Sequence, residues 1–353
     1  MSLSIAYGAA PVLALVAMEA GLRKSRAELP PGATPINVGH EVSGERFAYQ
    51  VKEHDTSDSI ASRFGEPALT LFPDGNELKP GDTITVDNRH VAAAAVAEGI
   101  VINVPQRMLF VFQDCHLAGA WPVTVGRPDW RTPLGSFRIA ALELNPTWHV
   151  PPAIRAEMED DGIPTSAVVK PGPSNPLGQR WIGLDQEASG STAPIIRSIF
   201  YFGSHGCIRL APEAVDKLFH LLKHAEQVEI VYQPVALAVL ADGRIFVESD
   251  ADPYEQGRPD LHSLQVAAHA AGIEGSINWS RASRALVMVD GIARRIDLGG
   301  EADSASGAES AAPAPSPGIS KSEQLAVGKT FEFMDSSRFE RESGARKQVP
   351  GGG

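Results

Sequence analysis

Short apolar runs dominate the middle of the chain, and they predict strands. Ile100-Val101-Ile102-Asn103-Val104 and Met108-Leu109-Phe110-Val111-Phe112 flank a Pro-Gln-Arg turn, which signals a hairpin. Ala120–Val125 and Gly135–Ile139 follow, separated by polar turns, and Trp181–Leu184 and Gln227–Tyr232 are further strands. Before the last of these, Ala211–Leu222 predicts a helix, because Pro212 suits its first turn and apolar residues recur at helical spacing. Strands at this density predict a mainly β domain over 98–233, a sandwich or barrel with one or two helices.

The flanks carry smaller patterns. Phe47–Val51 reads as a strand, and Lys52–Phe64 as a helix with Asp55 or Thr56 as its cap and Ile60, Ala61 and Phe64 on one face. Leu78–Val86 reads as turn and strand, which makes 46–90 a small α/β unit. Downstream, 236–300 predicts a second small α/β module. It has a strand at Gly243–Val247 and a helix at Asp260–Ala271. A hairpin is predicted to pair Leu286–Val289 with Ile292–Ile296 around Asp290-Gly291. Residues 29–45, with Leu29-Pro30-Pro31-Gly32-Ala33-Thr34-Pro35, read as a linker. The tail 301–353 is rich in Ser, Ala, Gly, Pro and charge and reads as disordered. Within 1–28, the run Ile5–Ala20 is too short for a comfortable membrane span and no Lys or Arg precedes it. It reads either as an export signal or anchor, or as a buried helix.

Composition narrows the function. The 353 residues fit two or three domains, and 43% hydrophobic with 21% charged residues allows a sizeable core. A net charge of -12 argues against a nucleic-acid partner. Two cysteines, Cys115 and Cys207, make no disulfide framework and no zinc spacing. Cys115 sits in an apolar run and is expected to pack as a small hydrophobe. His220 and His224 have helical i, i+4 spacing but no third ligand nearby, so no metal is expected.

The richest chemistry is at Ser204-His205-Gly206-Cys207-Ile208-Arg209-Leu210. A cysteine nucleophile needs a lowered pKa, an accessible sulfur and backbone N–H groups for an oxyanion. His205 and Arg209 each place a cation two residues from Cys207, and Gly206 allows a close approach of substrate.

This run resembles the signature of the L,D-transpeptidase (YkuD-type) catalytic domain. Other segments agree in order: Thr132-Pro133-Leu134-Gly135-Ser136-Phe137, Pro146–Pro152, and Pro171-Gly172-Pro173-Ser174-Asn175-Pro176-Leu177-Gly178. The resemblance implies a two-step acyl transfer on peptidoglycan stem peptides without metal or organic cofactor. Cys207 is the implied nucleophile, and backbone N–H groups at His205, Gly206 and Cys207 the oxyanion holders. Arg209 binds a substrate carboxylate or braces the loop. Export to the cell envelope or periplasm is implied too, with membrane or wall association through the N-terminus. Residues 46–90 resemble a LysM wall-binding module through Val51, Asp55-Thr56, Ile60, Arg63-Phe64 and Pro80-Gly81-Asp82, although His54 replaces the family's usual glycine. The alternative for this unit is a spacer without ligand.

One departure concerns the base. The family carries a second histidine sixteen to nineteen residues before its cysteine. Here that stretch is Glu187–Pro194, and Ser189 takes the histidine's place beside Gly190. A serine hydroxyl is no base near neutral pH. Three accounts remain open: His205 acts as base, His149 does, or catalysis is lost and wall binding kept. Ser204, Ser189 and Gly190 are expected on the substrate side.

Overall fold

The computed structural model describes residues 35–67, 71, 78–92, 96–185, 191–192, 199–222 and 226–299. Residues 1–28 and 301–353, assigned above to a leader and a tail, lie outside the described residues. No described helix is long and apolar enough to cross a membrane.

The expected linker is partly structured. Strands β1 (Val38–Gly39) and β2 (Val42–Ser43) lie within it. Ile36 is buried there, and apolar burial holds an otherwise linker-like segment in place. Then β3 (Arg46–Gln50), α1 (Ser57–Phe64) and β4 (Thr83–Asp87) build the first unit, with β3 and β4 antiparallel. Thr56 is the N-cap, in a reciprocal pair with Ser59. Asp55 is used otherwise: its carboxylate accepts from Tyr49 Oη at 2.7 Å and from the Lys52 N–H at 2.9 Å. Tyr49, Val51, Ile60, Ala61 and Val86 form the small core. Strand β5 (His90–Val91) pairs back to β2.

The central domain comprises β6 (Gly99–Asn103), β7 (Met108–Gln113), β8 (His116–Pro122), β9 (Val125–Gly126), β10 (Gly135–Leu144), β11 (Trp148–His149), α2 (Pro152–Asp160), β12 (Val168–Val169), β13 (Arg180–Leu184), β14 (Ser191–Thr192), β15 (Phe202–Ser204), β16 (Ile208–Arg209), α3 (Pro212–Leu221) and β17 (Gln227–Val231). Eight of the strands form one mixed sheet in the order β16-β14-β13-β10-β17-β6-β7-β8. The predicted β6–β7 hairpin is present, Asn103 opposite Met108. Its apolar runs are continuous because both faces are covered. Ile100, Ile102, Leu109 and Val111 enter the main core, while Val101, Phe110 and Phe112 pack with Ile199 and Phe200 on the other side. Helix α3 starts on Pro212 and buries Ala214, Val215 and Leu218 in the main core, beside Ile208 and Leu210 of the segment that carries Cys207. The domain is mainly β, as expected.

The C-terminal module holds β18 (Val235–Val239), β19 (Ile245–Ser249), α4 (Leu261–Ala270), α5 (Trp279–Met288) and β20 (Arg294–Arg295). Its sheet order is β1-β18-β19-β20, so the N-terminal segment completes it, Val38 beside Leu237. The predicted 286–296 hairpin is absent. Leu286–Met288 ends α5 instead, and β20 pairs with β19. Helix wins because Asn278 caps it and Ala282, Ala285 and Leu286 bury one face. Val289, in the left-handed region at φ 51°, stops it.

Candidate active site

Two strand anchors hold the turn that carries Cys207. On the entering side β15 runs parallel to β9, with Ser204 opposite Gly126. On the leaving side Arg209 and Thr124 exchange backbone hydrogen bonds, both 2.9 Å long. Between the anchors Gly206 takes φ 91°, a left-handed conformation that strains any side chain. Cys207 is half-buried. The other cysteine departs from expectation. Cys115 is exposed, at φ 64°, because the turn between β7 and β8 lifts it out of the apolar run.

Ser204 also departs from expectation. Its side chain is buried and its hydroxyl donates to the Cys207 carbonyl, so it braces the turn from inside and does not reach substrate. Beneath the turn, Thr132 Oγ1 donates to the Gly206 carbonyl at 3.0 Å and accepts from the Gly126 N–H at 2.8 Å. The Thr132 N–H in turn donates to Tyr254 Oη at 3.0 Å.

His205 lies against the edge of the turn. Its ring packs edge-to-face on Trp130, with centroids 4.8 Å apart. Its Nε2 is 2.5 Å from Glu157 Oε2. Glu157 sits on α2 and also accepts from the Arg127 guanidinium. Arg127, and after it His205, hold the Glu157 carboxyl below its ordinary value. The Arg127 N–H donates to the Ser204 carbonyl at 3.0 Å, which ties this group to the Cys207 turn. Arg209 has a buried Nε without a hydrogen-bond partner among the described residues.

His149 is exposed on the β11–β12 ribbon, with no hydrogen bond to the Cys207 turn among the described residues. Ser189 and Gly190 lie outside the described residues. The strand after them, β14, runs parallel beside β16, with Ser191 opposite Ile208. No group of His, Cys, Asp and Glu among the described residues is arranged to hold a metal. Reading the sequence missed Glu157, Arg127, Trp130 and Tyr254. Glu157 lies 48 residues from His205, on helix α2, where no sequence motif marks it.

Residues 97–230 match the YkuD family, the L,D-transpeptidase catalytic domain. The chain therefore carries a catalytic domain of that family. Curated relatives agree. The probable L,D-transpeptidase YcfS of Escherichia coli K12 is 26% identical over 273 residues, 73% of this chain and 82% of that protein. ErfK/SrfK of Salmonella typhimurium, also a probable L,D-transpeptidase, is 26% identical over 64% of this chain and 75% of its own length. YbiS of E. coli K12 is 28% identical, and the chain spans only 56% of it. Among solved structures, L,D-transpeptidase 3 from Mycobacterium tuberculosis aligns over 58% of this chain and 98% of its own, at 14% identity and a TM-score of 0.31. The avibactam carbamoyl enzyme of Ldtfm aligns over 38% of this chain and 49% of its own, at 20% identity and a TM-score of 0.30.

Proposed function

We propose that the chain is a peptidoglycan L,D-transpeptidase in which the His205–Glu157 pair stands in for the family's usual histidine base. The observation that carries this reading is the 2.5 Å contact between His205 Nε2 and Glu157, two residues from the half-buried Cys207. A carboxylate on Nε2 favours the tautomer with its proton there and leaves the Nδ1 lone pair as the base. It also stabilises the imidazolium that forms when Cys207 gives up its proton.

The reaction then runs in two steps. The Cys207 thiolate attacks the carbonyl carbon of the third residue of a stem tetrapeptide, and the carbonyl electrons move onto oxygen. Collapse breaks the bond to the terminal D-alanine, whose amine takes the proton from His205. An acceptor amine attacks the thioester, loses a proton to His205 and releases Cys207. Backbone N–H groups of the turn hold the oxyanion in both steps. Arg209, on the strand that leaves the turn, is the cation placed to serve a substrate carboxylate. Residues 46–90 act as a wall-binding module of LysM type, consistent with their strand–helix–strand order. Since the substrate lies outside the cytoplasm, the protein works in the cell envelope.

Ser189 favours a second reading, a wall-binding protein without catalysis. Purified protein incubated with tetrapeptide stems separates the two. Release of D-alanine or new cross-links, lost in Cys207→Ala, is expected. Equal product from both proteins, or none from either, overturns the enzyme reading.

A further inference from the structure

We propose that Tyr254, in the C-terminal module, is a positioning residue of the active centre: through Thr132 it fixes the direction of the Cys207 N–H. The proposal rests on the reading of Cys207 as an acyl-transfer nucleophile. Tyr254 lies beyond the stretch 97–230 that matches the catalytic family. Its side chain is 1% exposed, in the segment between β19 and α4.

The hydrogen bonds form a closed set. Tyr254 Oη donates to the Gly126 carbonyl at 2.8 Å and accepts from the Thr132 N–H at 3.0 Å. Thr132 Oγ1 accepts from the Gly126 N–H at 2.8 Å and donates to the Gly206 carbonyl at 3.0 Å. Thr132 is 2% exposed, so water does not compete for these bonds. In a trans peptide the carbonyl of one residue and the N–H of the next point in opposite directions. Holding the Gly206 carbonyl against Thr132 therefore turns the Cys207 N–H to the opposite side, away from this buried floor. Glycine alone would not enforce that choice. Its wide φ/ψ range makes rotation of the 206–207 peptide cheap, and rotation would present a carbonyl to the oxyanion instead of a donor.

The tyrosine is itself held in place. It stacks on Tyr232 at 5.4 Å between centroids and 21° between planes. The Tyr254 N–H donates to Tyr232 Oη at 2.9 Å, and Tyr232 Oη donates to Asp252 Oδ1 at 2.5 Å. Asp252 also accepts from the Gln256 and Gly257 N–H groups, closing the turn around Tyr254. Any buried tyrosine hydroxyl needs a partner; this one uses both its donor and its acceptor on the backbone of Gly126 and Thr132, the two residues that hold the turn.

Two reagents distinguish positioning from packing, both followed at Cys207 by mass spectrometry in a C115S background. p-Nitrophenyl acetate transfers its acetyl group to the thiolate through an oxyanion and releases p-nitrophenolate. Iodoacetamide alkylates the same thiolate with loss of iodide and forms no oxyanion. Tyr254→Phe is expected to slow acetylation about tenfold and to leave alkylation within about twofold, a smaller effect than the roughly 10²–10³ for losing an oxyanion donor outright. Thr132→Val is expected to do the same, and Thr132→Ser to restore the parent ratio. If Y254F does not fold, the T132V and T132S pair reads the same ratio. Rates that fall together, or a ratio that does not move, overturn the proposal. A parent protein that acetylates normally but never releases D-alanine sinks the stem-peptide reading and leaves this ratio readable.

Discussion

At the scale of single residues, the proposed nucleophile is legible in the sequence and the carboxylate proposed to support it is not. Cys207, Gly206 and His205 are contiguous, and their chemistry follows from their order. Glu157 reaches His205 only because α2 folds over the turn, and no spacing along the chain announces it. Ser204 reads as a substrate contact until its hydroxyl is seen to face inward. The Glu157 contact carries a prediction. Glu157→Gln keeps shape and an acceptor oxygen but removes the charge that steadies an imidazolium. It should lower the rate of D-alanine release by about 10-fold or more, and His205→Asn by about 10²–10⁴-fold, the usual worth of a positioned acid–base group. Because the two act as a unit, E157Q should add little in the H205N background. A kcat unchanged by E157Q, or losses that multiply in the double variant, would remove Glu157 from the mechanism.

Among the elements, periodicity located strands better than it chose between strand and helix. The continuous runs of β6 and β7 are strands because both faces of the sheet are covered. Leu286–Val289 is equally apolar, and Asp290-Gly291 after it imitates a hairpin turn. The deciding feature lies upstream, at Asn278, whose side chain accepts from the Arg281 N–H at 3.1 Å and starts a helix that runs through Leu286. Val287 is left 78% exposed, as a helix with one buried face requires. Val289 then sits at φ 51°, a conformation that costs a β-branched residue about 1–2 kcal/mol. Val289→Gly should therefore raise the melting temperature, with about 0.5–1 kcal/mol remaining after glycine's entropy cost. Asn278→Ala should lower stability by about 1 kcal/mol. In a hairpin the first change would be neutral or harmful, so a lower melting temperature for V289G would argue against the helix stop.

Across the whole molecule, the three units meet on buried charge, which no hydrophobic pattern could reveal. Ser62 of α1 donates to the Ile199 carbonyl at 3.0 Å. His90 of β5 joins Glu248 of β19 at 2.8 Å and the Gly65 carbonyl at 3.0 Å. Glu66 lies in the same region, 3% exposed, accepting from the Asp87 N–H at 2.9 Å. Burial, with the Asp87 and Asp290 carboxylates adding to it, pushes its carboxyl up from 4.5 to about 8, against the Asp87 N–H and the Arg294 charge. Below pH 4.5 the group is protonated in both the folded and the unfolded chain, and its titration costs nothing. Between pH 4.5 and about 8 only the folded chain keeps the proton, so stability falls as pH rises, and above pH 8 the full cost remains. At about 1.4 kcal/mol per pH step, that cost is at most on the order of 5 kcal/mol. Glu66→Gln keeps an acceptor for the Asp87 N–H and cannot ionise. Relative to the parent, its melting temperature should rise little at pH 5 and by several degrees at pH 8.5, the gap widening steadily in between. A gap that is constant with pH, or that narrows toward pH 8.5, would mean that Glu66 is already ionised at this junction.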